Sequence, residues 1–151
     1  MVSVHPAILL STLAMTCGVV ACATADAYRT ADTAQSDAIA QPLTNEPGDV
    51  LRGRTIVAGR EGNCLLCHSI PETGERFMGN VGPPLSHVAQ RLTAGQMRLR
   101  IVDPTRIDPA AAMPAYYRVE HLDIVAAPYV GKPILTAQQV EDVIAYLQTL
   151  H

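Results

Sequence analysis

The chain of 151 residues contains no Trp and a single Phe, and five Tyr are its only other aromatics. Aromatic rings normally supply the bulk of a small core, so a core built on them is excluded and something else has to occupy the centre. Lys occurs once. With the Arg residues it makes 11 bases against 14 acids, a formal net charge of -3. That balance excludes the basic patch of a nucleic-acid binder. The length fits one domain with a tail and excludes a large multidomain enzyme. No internal repeat is visible, and no segment reads as a strand.

What is present is unevenly spread. Ala7–Ala25 (AILLSTLAMTCGVVACATA) is apolar and uncharged, and it ends in Ala-x-Ala patterns before the chain turns polar. This is the form of a secretory signal peptide over residues 1–27, although Met1–His5 lacks the usual basic residue. A retained anchor is the competing reading, since the run is barely long enough to span a membrane. Val19-Val20-Ala21-Cys22 resembles a bacterial lipobox, which would lipidate Cys22. Each reading exports the remainder to the periplasm, with membrane attachment only if Cys22 is lipidated or the N-terminus is retained. Residues 28–48 are small and polar with no sustained apolar period, and are expected to be a flexible tether. An organised domain then covers 49–151, about 100 residues and enough for one modest core.

That domain reads as all-α, helices joined by long loops. Asp49–Gly59 is a short helix candidate. Thr93-Ala94-Gly95-Gln96 and Thr136-Ala137-Gln138-Gln139 are capping boxes, with Leu92/Met97 and Leu135/Val140 as hydrophobic staples. The helix opened by Thr93 should stop before Asp103-Pro104, because a residue preceding Pro avoids the α region. Val140, Val143, Ile144, Leu147 and Leu150 place one apolar face on the last helix. Residues 103–134 carry five prolines and no period, and are expected to be loop.

Two of the four cysteines lie in the export segment. The other two form Cys64-Leu65-Leu66-Cys67-His68. Cysteines at i and i+3 project from one face of a helical turn and can form thioethers to two vinyl groups on one haem edge. The adjacent His68 then presents its imidazole to the iron. A Cys64–Cys67 disulfide is the alternative in an exported protein. A redox dithiol would want a βαβ context, and zinc would need a second ligand pair. The motif therefore predicts covalent haem c.

The surrounding sequence resembles class I cytochromes c. Gly48–Val57 is similar to the N-terminal helix of that family, and Asp142-Val143-Ile144-Ala145-Tyr146-Leu147 to its final helix. In the family these helices cross closely, a small residue against an aromatic, and Gly53 and Tyr146 match those positions. A helical Gly costs about 1 kcal/mol relative to Ala, which suggests a packing reason. Gly82-Pro83-Pro84-Leu85 resembles the loop whose Pro carbonyl accepts from the proximal imidazole. The resemblance gives that role to Pro83; a simple rigid turn is the alternative. For the sixth ligand the candidates are Met78, Met97, Met113, His87 and His121. Met97 is explained by its staple, Met78 lies only ten residues past His68, and the two histidines sit among polar neighbours. Met113, in an irregular segment stiffened by Pro114, is the preferred ligand. A His/Met pair raises the reduction potential.

The resemblance narrows further. Asn63–His68, Gly82–Leu85, Met113-Pro114-Ala115-Tyr116-Tyr117-Arg118, Gly131-Lys132-Pro133-Ile134-Leu135-Thr136 and Val140–Val143 occur in that order. Together they resemble SoxX, the small cytochrome subunits of SoxAX sulfur-oxidation complexes. The similarity covers nearly all of 49–151 and none of the export segment or tether. It implies a periplasmic monohaem cytochrome paired with a SoxA-like haem subunit. The complex conjugates thiosulfate to a cysteine of a SoxYZ-like carrier, a reaction that releases two electrons. The small subunit passes electrons to a soluble cytochrome. Cys64, Cys67, His68 and Met113 would hold the haem. With no third cysteine in the domain, the thiosulfotransferase chemistry is expected on the partner, leaving electron transfer here. A free-standing electron shuttle of class I type is the alternative.

Overall fold

The computed structural model of the protein describes residues 37–151. The signal peptide expected over 1–27, its Cys22 lipobox and residues 28–36 of the tether lie outside the described residues. No described helix is long and apolar enough to cross a membrane.

Four α-helices organise the described chain: α1 (Val50–Ala58), α2 (Val88–Arg91), α3 (Ala94–Val102) and α4 (Ala137–Leu147). Short 3₁₀ turns punctuate the loops, and no strand occurs among the described residues. The all-α expectation holds. Asp49 caps α1 by accepting the Arg52 N–H at 2.8 Å, and Gly59 ends it by donating to the Thr55 carbonyl at 2.9 Å. Both predicted capping boxes form, Thr93 with Gln96 on α3 and Thr136 with Gln139 on α4. α3 stops at Val102, just ahead of Asp103-Pro104. The four-residue α2 was not anticipated from periodicity; it is too short to display one.

α1 and α4 cross at Gly53. A Cβ added there would lie 1.9 Å from the Asp142 carbonyl and 2.9 Å from the Tyr146 Cβ. The contact excludes any side chain and supplies the packing reason expected for a helical glycine. α4 buries Val140, Val143, Ile144 and Leu147 with Leu150 beyond it, as the apolar period predicts.

The tether expectation fails for residues 37–48. Ile39 is 2% exposed and belongs to the core. Its N–H donates to the Gly95 carbonyl at 2.9 Å, and its carbonyl accepts from Arg98 at 2.7 Å. Leu43 N–H donates to Glu141 at 2.9 Å. Arg98 and Glu141 are themselves a buried ion pair, joined through Nε–Oε1 at 2.7 Å and Nη2–Oε2 at 2.8 Å. A bent segment anchored by Ile39 and Leu43 and by partners 59 and 98 positions away leaves no local period to read.

Residues 103–134 are mostly loop, with 3₁₀ turns at Pro104–Arg106 and Ala127–Tyr129. The loop is fastened where Tyr116 N–H donates to the Ile101 carbonyl at 3.0 Å and Leu135 N–H to the Tyr116 carbonyl at 2.9 Å. Arg118 pairs with Asp103 at 3.2 Å. Beyond these ties the loop exposes Val119, Leu122, Ile124, Tyr129 and Val130.

Candidate functional site

Cys64–Leu66 form one 3₁₀ turn directly after Asn63, whose φ of 49° lies in the left-handed region. His68 N–H and Cys67 N–H both donate to the Cys64 carbonyl, at 2.9 and 3.1 Å. The turn thus sets the two cysteines and the histidine in one compact unit. Both thiols are free and half-buried. Burial pushes the Cys64 thiol up to about 11, so it rests protonated, unlike the low-pKa thiolate of a redox cysteine. Among the described residues no three His, Cys, Asp or Glu side chains converge on a point, whereas a structural zinc takes four ligands.

Tyr116 braces this turn from the loop side. Its hydroxyl donates to the Gly62 carbonyl at 2.7 Å, and burial raises its phenol to about 12.

His68 Nδ1 lies 2.7 Å from the Pro83 carbonyl. A carbonyl only accepts, so Nδ1 carries a proton and Nε2 is the nitrogen left to face a metal. That is the arrangement a metal-ligating histidine needs. Gly82, which sequence reasoning did not single out, makes the geometry feasible. A Cβ there would sit 2.4 Å from His68 Cε1 and 2.6 Å from Nδ1. Its requirement is for space, so the sole sequence signal was its place beside Pro83-Pro84.

These groups face a single cavity of about 490 Å³, lined by Cys64, Cys67, His68, Pro83 and Met113. Its walls include Val57, Leu85, Val88, Ile101, Val143 and Leu147, so the interior is apolar and within the size range of ligand pockets. The structure brings all five sequence-predicted site residues to this one space. The other sulfur and imidazole candidates are placed differently. Met78 sulfur accepts the Ile70 N–H at 3.1 Å. Met97 lines the cavity but is 2% exposed, packed in the core as its staple position implies. His87 and His121 are exposed and absent from the lining. Two arginines, Arg91 and Arg100, also reach the cavity wall; neither was expected as a site residue.

The family model for cytochrome c matches residues 50–151. Among solved structures, the crystal structure of SoxXA from P. pantotrophus is similar at 34% identity, with a TM-score of 0.70. The match covers 76% of this chain and 90% of that one. Among curated proteins no match was found. The helical fold, the haem-attachment turn and these similarities agree: the chain belongs to the cytochrome c family, with a class I fold, and is a SoxX-like cytochrome that binds haem c covalently.

Proposed function

We propose that the protein is a monohaem electron carrier of periplasmic thiosulfate oxidation, acting as the SoxX-like subunit beside a SoxA-like haem partner. The observation that carries the haem assignment is the 2.7 Å contact between His68 Nδ1 and the Pro83 carbonyl, in a cavity shared with both thiols and Met113. The residues fit the cofactor. Two thiols on one turn match two vinyl groups, an imidazole and a thioether share the cavity, and the walls are apolar. When bound, the haem supplies one-electron chemistry at its iron, with a His/Met pair favouring a raised potential.

The chain's own residues set the conditions for that chemistry. Cys64 and Cys67 would hold the haem through thioether bonds. Pro83 orients His68 and holds its proton on Nδ1, while Gly82 leaves room for the ring. Pro114 stiffens the loop that presents Met113. The apolar walls exclude water, which limits reorganisation around a changing charge. The partner role rests on the likeness to SoxXA of P. pantotrophus. Electrons from the conjugation of thiosulfate to a SoxYZ-like carrier cysteine would leave through this haem to a soluble cytochrome.

Two measurements test the reading. A pyridine haemochrome spectrum of protein matured with haem should show one haem c per chain, and Met113→Ala should abolish the near-infrared sulfur-to-iron band and lower the potential. An unchanged spectrum in that variant would assign the ligand elsewhere. Native purification should yield a heterodimer with a second haem subunit; a monomer recovered with its neighbours expressed would favour the free shuttle.

A further inference from the structure

Three of the four side chains assigned to the haem share one turn closed by backbone hydrogen bonds, whereas Met113 sits on an irregular stretch outside any helix. A sulfur on such a stretch keeps a fixed place only if the stretch is tied to its surroundings. The ties converge on Tyr116, three residues on. Its N–H donates to the Ile101 carbonyl of α3 at 3.0 Å, and its carbonyl accepts from Leu135 N–H at 2.9 Å, just before α4. Both use backbone atoms, so they do not require a tyrosine. The third tie does. The Tyr116 hydroxyl donates at 2.7 Å to the carbonyl of Gly62, 54 positions earlier and two residues before Cys64. Gly62 is a firm anchor: it is buried, and its N–H donates to the Ile56 carbonyl of α1 at 3.2 Å. A Cβ there would lie 2.6 Å from that carbonyl. The Cys64 thiol reaches the same Gly62 carbonyl at 3.6 Å. Arg118 fastens the next stretch to Asp103, Glu120 and His121, none of which belongs to the haem-attachment turn.

We propose that the Tyr116 hydroxyl positions Met113 as the sixth ligand, by fastening the loop that bears the thioether to the turn that bears the thiols and the imidazole. This rests on the haem and Met113 assignments above. The hydroxyl touches no ligand atom of the iron. It acts through the loop, and is a positioning residue. A loop that presents its sulfur competes with a loop that has swung away and left the iron open to an outside ligand. A bond made only in the first state shifts that balance by its own free energy. The Tyr116 bond is of that kind, because it joins the two elements whose separation decides whether the sulfur is in place. Tyr116 is 8% exposed and lines the cavity beside Met113 and Cys64, so water does not stand in for the hydroxyl. Tyr116→Phe keeps the ring and its packing but leaves the buried Gly62 carbonyl without this donor, a costly arrangement away from solvent. The swung-away loop then gains population.

The test uses holoprotein matured with haem, as wild type, Tyr116→Phe and Ile39→Val. Ile39→Val trims a core side chain that is absent from the cavity lining, so it lowers stability without touching the tie. Imidazole is titrated into each ferric protein, and the near-infrared sulfur-to-iron band is followed on heating beside the global melt. Tyr116→Phe should bind imidazole about tenfold more tightly, the effect of one buried hydrogen bond left unmade. Its band should fade well below its own melting temperature. In Ile39→Val, band and melt should fall together and imidazole affinity should stay at the wild-type value. Wild-type affinity and band behaviour in Tyr116→Phe would overturn the proposal. Equal changes in the two variants would overturn it too, since they would report stability alone. Should Tyr116→Phe fail to retain haem, hydrogen exchange of the wild-type holoprotein gives the answer. Coupling is reciprocal, so saturating imidazole should speed exchange at the Tyr116 and Leu135 amides; unchanged exchange overturns the proposal. Survival of the band in Met113→Ala would fail the ligand assignment itself, a different result that takes the proposal with it.

Discussion

On one side of the domain, α1 and α3 each pack directly on α4. Gly53 lets two backbones meet, Arg98 and Glu141 cancel inside the contact, and Ile39 from the N-terminal segment seals it. On the other side, residues 103–134 pack on little. They are tied at Tyr116, Arg118 and Leu135, and Ile124 is fully exposed at a φ of 56°. Between the two lies the 490 Å³ cavity. The helical side packs backbone against backbone yet turns Val57, Ile101, Val143 and Leu147 toward the cavity, and the loop side is organised around that same space, meant for a prosthetic group. A domain short of aromatic side chains has divided its core between protein and cofactor.

The largest effect should come from denying the cavity its occupant. Without the haem, the apolar side chains of Val57, Leu85, Val88, Ile101, Val143 and Leu147 that line this space lose the burial it gives them, at roughly 25 cal/mol per Å² of apolar surface returned to water. Whole domains are stable by about 5–15 kcal/mol. Cys64→Ala/Cys67→Ala protein recovered without haem should therefore lose its cooperative thermal transition, followed by near-UV circular dichroism. A melt like that of the holoprotein would show the helical side to be self-sufficient and would break the comparison.

Next comes the ion pair. Arg98→Met should cost about 3–5 kcal/mol in denaturant unfolding, because Glu141 becomes a buried, unpaired charge. Adding Glu141→Leu should recover most of that loss. The remainder reflects the orphaned Leu43 N–H and Ile39 carbonyl, about 1 kcal/mol each. Equal losses in the single and double variants would mean that charge burial is not the dominant effect there.

On the loop side the sign should reverse. Ile124→Gly gives up no buried surface, since the side chain is fully exposed, and relieves a left-handed β-branched residue. It should stabilise the holoprotein by about 1 kcal/mol, read as a raised midpoint; a destabilised variant would show that Ile124 packs on something. The smallest effect concerns acid. Burial pushes the Asp142 carboxyl upward, but hydrogen bonds from Arg52, the Asp49 N–H and Gln138 outweigh it and leave it below the ordinary 3.8. A depressed carboxyl contributes stability above its unfolded value, and that stability is lost as pH falls from 3.8 toward the folded value. Asp142→Asn should thus be less stable at neutral pH, with the gap closing below about pH 4. A gap constant with pH would remove the charge from the account.

Much of the site was legible because it is contiguous or local. Cys64-Leu65-Leu66-Cys67-His68 is five adjacent residues whose spacing suits one turn, and the two capping boxes are four-residue patterns. The period of Val140, Val143, Ile144 and Leu147 reports the face that α4 buries. Local order around Pro83 was readable through its resemblance to a known loop. Gly82 was not, because its role is to leave space for a ring fourteen residues earlier. The packed segment at 37–48 was missed for a related reason: its polar composition is that of a tether, and its partners Gly95, Arg98 and Glu141 are remote.

By itself, then, the order of residues determined the haem-attachment motif, the capped starts of α3 and α4, and the stop of α3 before Asp103-Pro104. Each depends on covalent spacing or backbone preference within a few residues. Only the tertiary structure decided which arginines are neutralised and which face the cavity. Ten guanidiniums look alike along a chain, and an arginine's environment depends on which distant carboxylate, carbonyl or apolar wall the fold brings to within about 3 Å of it.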